Sequence, residues 1–137
     1  MSGCVLRVSL SVDSDVDALL EWFPIEPLAV FRKGQLSRPT AKRVSEISGF
    51  NVLVSDHDGE HMRELVAEAE AFLERHREAL VRLSRESEAS LSLDFGTDFP
   101  EGAAARTHEL PPALLRACGE LEISIDVSVY RTSESED

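Results

Sequence analysis

The sequence predicts an α+β fold. It should be a two-layer sandwich of ferredoxin-like character, in which a mostly antiparallel sheet of about five strands carries one long and two short helices. Three observations predict it. Five short segments alternate apolar and polar residues with a period of two. Three other stretches repeat apolar residues at the helical period, and the two kinds of segment interleave along the chain. The 137 residues leave room for one core, so a single domain over 1–137 is expected, with 131–137 a frayed charged tail.

The first strand sets Leu6, Val8, Leu10 and Val12 on one side and Arg7, Ser9 and Ser11 on the other. A helix follows in "DSDVDALLEWF". Asp13 to Asp15 supply capping residues, Val16, Leu19, Leu20 and Phe23 form one stripe, and Pro24 stops it. "LAVFRK" reads as a short second strand. "GFNVLVS" is the third, with Phe50, Val52 and Val54 opposed to Asn51. The main helix holds Met62, Leu65, Val66, Ala69, Phe72, Leu73, Leu80 and Leu83 on one stripe over about six turns. "EASLSLDF" is the fourth strand, and residues 96–110 read as an irregular connection. "PPALLRAC" opens a short helix with proline, where a missing N–H costs nothing, and Gly119 ends it. The last strand, "LEISIDVSVY", alternates Leu121, Ile123, Ile125, Val127 and Val129 with Glu122, Ser124, Asp126 and Ser128. Three strands share a serine-rich face, so that face of the sheet is expected to meet water or a partner.

Composition excludes several classes of function. The net charge of −12 repels nucleic acid and anionic lipid and suits a basic partner. The N-terminus lacks the basic start and apolar run of a signal peptide, and no apolar run is long enough to cross a bilayer. The protein therefore reads as cytoplasmic, binding neither nucleic acid nor membrane. Cys4 and Cys118 read as small core residues in a reducing compartment. No phosphate loop and no nucleophile elbow appears, and no cofactor is implied.

One motif invites a metal. "SDHDGEH" holds His57, Glu60 and His61 in the order H-x-x-E-H, a zinc-peptidase signature when a helix brings both histidines to one face. Gly59 inside the motif weakens such a helix. Ser55 followed three places on by Asp58 reads instead as a capping box. A metal-dependent hydrolase is the least favoured reading, and His57, Glu60 and His61 stand only as weak metal candidates.

Charge is segregated along the chain. Leu28 to Ser45 has no acid but carries Arg32, Lys33, Arg38, Lys42 and Arg43, the candidates for binding an anion. Asp56 to Glu78 has eight acids and three arginines. Glutamates four apart repel by a few tenths of a kcal/mol per pair. A ridge of Glu64, Glu68, Glu74 and Glu78 held against that cost is the first candidate face for a basic protein partner. The polar sheet face is the second. Trp22 lies off the stripe of its helix and is a candidate interface anchor.

Two segments resemble a known family. "FPIEPLAVFRKGQ" carries Pro27, Phe31, Lys33 and Gly34 in a short helix-and-turn pattern. "ELPPALLRACGELEISIDVSVY" carries Leu114, Leu115, Gly119, Asp126 and Tyr130 in a Leu-rich helix, turn and strand. Both are similar to the bacterial domain of unknown function 4279, over nearly the whole chain. The resemblance implies a compact α+β domain and supplies no catalytic residues. Small acidic bacterial proteins of this kind are often encoded beside secreted toxins as immunity proteins, an association by type. The expectation is a non-catalytic module that binds another protein, in its concrete form an immunity protein. The alternative is a regulator that binds a small ligand or a metal.

Overall fold

The computed structural model describes residues 3–11, 14–36, 40, 42–57 and 61–131. The tail from Thr132 onward, Val12, Asp13, Arg38, Asp58, Gly59 and Glu60 lie outside the described residues. The elements run β1 (Gly3–Ser9), α1 (Val16–Trp22), β2 (Ala29–Phe31), β3 (Gly49–Ser55), α2 (Met62–Arg75), α3 (Arg77–Ser87), β4 (Ser90–Phe99), α4 (Pro112–Glu120) and β5 (Ile123–Arg131).

Among the described residues the fold is α+β, with four helices on an open, mixed five-stranded sheet of order β2-β3-β1-β4-β5. β1 sits between β3 and β4 and is antiparallel to both, and β2 is antiparallel to β3. This is the split β-α-β arrangement of the first four strands. The crossover through α4 then returns the chain in the same direction, so β5 pairs parallel to β4.

The period of two works as read. Leu6 opposes Val52 and Leu93, and Val8 opposes Phe50 and Leu91, all buried beneath the helices. Leu65, Ala69 and Leu73 of α2 and Leu114 and Cys118 of α4 close the same core. On the other face Arg7 opposes Asn51 and Ser92, and Ser92 opposes Ser124. Asp15 caps α1 through its carboxylate, accepting from the N–H groups of Asp17 at 3.0 Å and Ala18 at 3.4 Å.

Four expectations need correction. The long helix is two helices, α2 and α3, parted at His76, whose backbone leaves helical geometry at φ −110 and ψ 23. A straight helix over 62–87 would run about 39 Å, against about 23 Å for a seven-residue strand. A bend keeps the second half, with Leu80 and Leu83, on the core. It falls at the one polar residue of the stripe, whose ring folds onto Phe72 with centroids 4.8 Å apart. Burial lowers the His76 pKa, with Arg75 adding to it. Second, residues 96–99, read as irregular, continue β4, because they pair with Ser128 to Arg131 of β5. Third, Gly119 lies inside α4, and the left-handed residue at the turn is Glu122, at φ 58. Fourth, the described part of the proposed capping box does not cap α2, and its Asp58 half lies outside the described residues. The Ser55 hydroxyl is buried at the end of β3, and α2 starts at Met62 with no side-chain cap.

Candidate functional site

The chain leaves β3 at Ser55 and reaches α2 by the H-x-x-E-H segment. The Ser55 hydroxyl accepts from the His57 backbone N–H at 3.3 Å and bonds the Glu68 carboxylate. His57 Nε2 lies 2.8 Å from Glu68 Oε2. The Ser55 hydroxyl first, and His57 after it, hold the Glu68 carboxyl below the usual carboxylate range, against some desolvation. A serine nucleophile needs the histidine between hydroxyl and carboxylate. Here the carboxylate stands in the middle, so the serine has no base. The two histidines do not share a helical face either, because His57 is in the connection and His61 immediately precedes the first helical residue. Among the described residues no three of His, Cys, Asp and Glu come together to hold one ion.

His61 has a different neighbour. The start of α2 and the segment 107–111 enclose a cleft of about 650 Å3. His61 and Glu64 line it from the helix, His108 and Glu109 from the segment, and Met62 and Val66 give it an apolar wall. His108 is anchored from below. Its Nε2 is 2.9 Å from the hydroxyl of Thr97, a buried residue of β4. Arg106 donates to the Asp98 carbonyl oxygen at 2.6 Å and pins the same segment. Burial, then Arg106, lowers the His108 pKa. A histidine whose folded pKa lies below its unfolded value of 6.5 favours the neutral form. Its contribution to stability is full above pH 6.5 and is lost as pH falls through the folded pKa. His76 is shifted the same way. We therefore expect the melting temperature to fall between pH 7.5 and pH 5.5, and to fall less in His108→Gln. An unchanged slope in that variant would remove His108 from the account.

The predicted glutamate ridge does not form one surface. Glu68 lies toward β3, beside Val54 and Phe72, and is occupied by Ser55 and His57. Glu70 and Glu74 lie on the opposite flank, in a groove against Ala113 and Ala117 of α4. Glu78 follows the bend. Glu64, Glu74 and Glu78 are exposed, and among the described residues none takes part in an ion pair. Two arginines of α3 are used elsewhere: Arg77 pairs with Glu120 at 3.4 Å and Arg82 with Glu86 at 3.1 Å. Arg82 also covers the Trp22 ring, its guanidinium carbon 4.0 Å from the centroid. Trp22 is thus half-buried and ties α1 to α3.

In the basic segment, Arg32 forms a two-nitrogen pair with Asp17, closest at 2.6 Å. That pair lowers the Asp17 pKa. Lys33, Lys42 and Arg43 are exposed. Beside them Leu28, Leu36, Val44 and Ile47 are exposed too, bound into a small lobe by bridges from Lys33 to Ser45 and from Leu36 to Val44.

Among the described residues the uncovered sheet face holds one buried charge. Asp94 accepts from the Arg7 guanidinium at 2.9 and 3.2 Å and from the Ser128 hydroxyl at 2.7 Å. All its contacts are satisfied within the sheet, and it sits across a strand from Asp126. Both cysteines are unreactive by environment. Burial, then Asp94 and Cys118, pushes the Cys4 thiol to about 12, and burial pushes Cys118 to about 11.

Sequence reasoning missed the partners of His61. His108 and Glu109 lie in a stretch without periodicity, and they meet α2 only because the segment folds back over Thr97.

These features define a small α+β domain with a mixed open sheet, charged flanks on one helical layer and a shallow cleft beside α2. The chain belongs to the family described as domain of unknown function DUF4279, whose family model matches residues 4–132. No curated protein and no solved structure matches it. Among the described residues no helix is long and apolar enough to cross a membrane.

Proposed function

We propose that this is a non-catalytic cytoplasmic protein that acts by binding another, basic protein, in its concrete form as an immunity protein that neutralises a toxin. The observation that carries the reading is the state of Glu64, Glu74 and Glu78. They are exposed on α2 and α3 and take part in no ion pair among the described residues, while Arg77 is held by Glu120 and Arg82 by Glu86 and Trp22. Carboxylates left unmatched in a neighbourhood that holds arginines favour the approach of a cation-rich surface. Such a role needs no reaction centre, only an interface of about 800 Å2 per partner.

The test is co-expression with the products of the adjoining genes. Protection from growth arrest by one of them is expected. Glu64→Lys with Glu74→Lys should slow association with that product about tenfold or more and flatten its salt dependence. Protection and association indifferent to the double reversal would end the acidic-face assignment.

A second reading rests on the cleft shared by His61, Glu64, His108 and Glu109. It supports a regulator binding a metal or a small anion there. Calorimetric titration with zinc separates the two. Heat that disappears in His61→Ala with His108→Ala favours the second reading, and no heat with either protein removes its metal form.

A further inference from the structure

The two edges of the sheet are built differently. β2 spans three residues and Pro27 precedes it closely, so it offers little backbone to another chain. β5 spans nine residues without a proline or a lysine. Among the described residues its outer edge pairs with no strand. Long, flat, apolar edges are ordinarily blunted or covered.

The apolar row of β5 also runs out from under its cover. Ile123 is 6% exposed, but Val127 is 44% and Val129 59%. Their partners on β4, Phe95 and Thr97, are 0% and 2% exposed. His108 covers Thr97 near the end of β4, while Val129 beside it on β5 stays exposed. On α4, which packs against both α2 and β5, Leu115 is exposed as well.

We infer that the β5 edge pairs with the β5 edge of a second copy of this chain, antiparallel about a two-fold axis, so that two sheets become one. Charge selects this surface. At −12 per chain, most approaches of two copies set like charges together. Residues 123–131 carry one acid, Asp126, and one base, Arg131, and are neutral together. Size permits it. A nine-residue strand is about 30 Å long, and a helix on a sheet stands about 20 Å tall, a flat footprint of about 600 Å2 against the roughly 800 Å2 per partner of a standard interface.

The register follows from the side chains. Opposed residues of two antiparallel strands must lie on one face. Centring the axis on Asp126 sets two carboxylates against each other. Centring it on Ser128 leaves Ile123 and Ser124 without a partner on the opposing strand. Centring it on Val127, the middle residue, pairs all nine positions and opposes Val127 to itself, Ile125 to Val129 and Asp126 to Ser128, with Ile123 against Arg131 only at the two ends.

Sedimentation across a concentration series tests this. A species of twice the 15.1 kDa chain mass is expected. It should strengthen as salt screens the net repulsion. Val127→Lys with Val129→Lys, both at exposed positions, should give a folded monomer by circular dichroism. Val127→Cys should oxidise to a disulfide-linked dimer, since directly opposed Cα atoms fall within disulfide reach, whereas Asp126→Cys should not. A wild-type monomer at every concentration would overturn the inference, including the case where the edge receives a strand of another protein. A dimer that survives the double lysine variant would overturn it too. Crosslinking through Asp126→Cys in place of Val127→Cys would overturn the register.

Discussion

Gly49→Ala is expected to destabilise the protein by about 3 kcal/mol or more, at or beyond the upper end of what overpacking costs. Gly49 begins β3 opposite Ser9 of β1. A Cβ there would fall on the Val8 carbonyl oxygen and 2.8 Å from the Phe31 ring. The ring is an end group and can turn, but the carbonyl belongs to the β1–β3 ladder, and moving it breaks strand pairing at the centre of the sheet. Urea unfolding measures the effect. Gly119→Ala is the internal control: it lies in α4 with no atom within 4 Å of the added carbon, and alanine in a helix should gain up to about 1 kcal/mol. Equal midpoints for the two variants would show that β1 and β3 do not approach as described.

Phe50→Ala is the second large effect, at about 4 kcal/mol, the range of a fully buried phenylalanine lost from a core. Phe50 is wholly buried, between Val8 of β1 and Val30 of β2. Its ring meets the edge of Phe23 at 5.2 Å and 61°, fastening the end of α1 to the sheet. Leu53, three residues along, faces the other side and is exposed, so Leu53→Ala should cost about 0.5 kcal/mol or less. A strand slipped by one residue would reverse these costs, because every side chain would change faces. Measuring both variants by chemical denaturation therefore tests the register of β3 and the size of the core together.

The charged residues show why a linear reading of function goes only part of the way. Glu64, Glu68, Glu74 and Glu78 look like a row in sequence. On α2, however, Glu68 falls to the β3 flank and Glu74 to the α4 flank, and Glu68 is claimed by Ser55 and His57. Trp22 looks exposed beside Glu21, yet Arg82, sixty residues further on, covers it. His57 and His61 look like a pair, yet one turns to Glu68 and the other to a cleft with His108.

The chain by itself determined the strands, their inward faces, the cap at Asp15 and the positions of most helices. Each of those depends on residues within about one turn or one pleat of one another, and there apolar periodicity and backbone sterics act directly. Tertiary structure alone decided the bend at His76, the parallel pairing of β4 with β5, the partners of Glu68 and Trp22, and the cleft at His61. These depend on how far a helix must reach to stay on its sheet and on which distant groups that reach brings within a few ångströms. No local pattern encodes such distances, because they are set by the packing of whole elements.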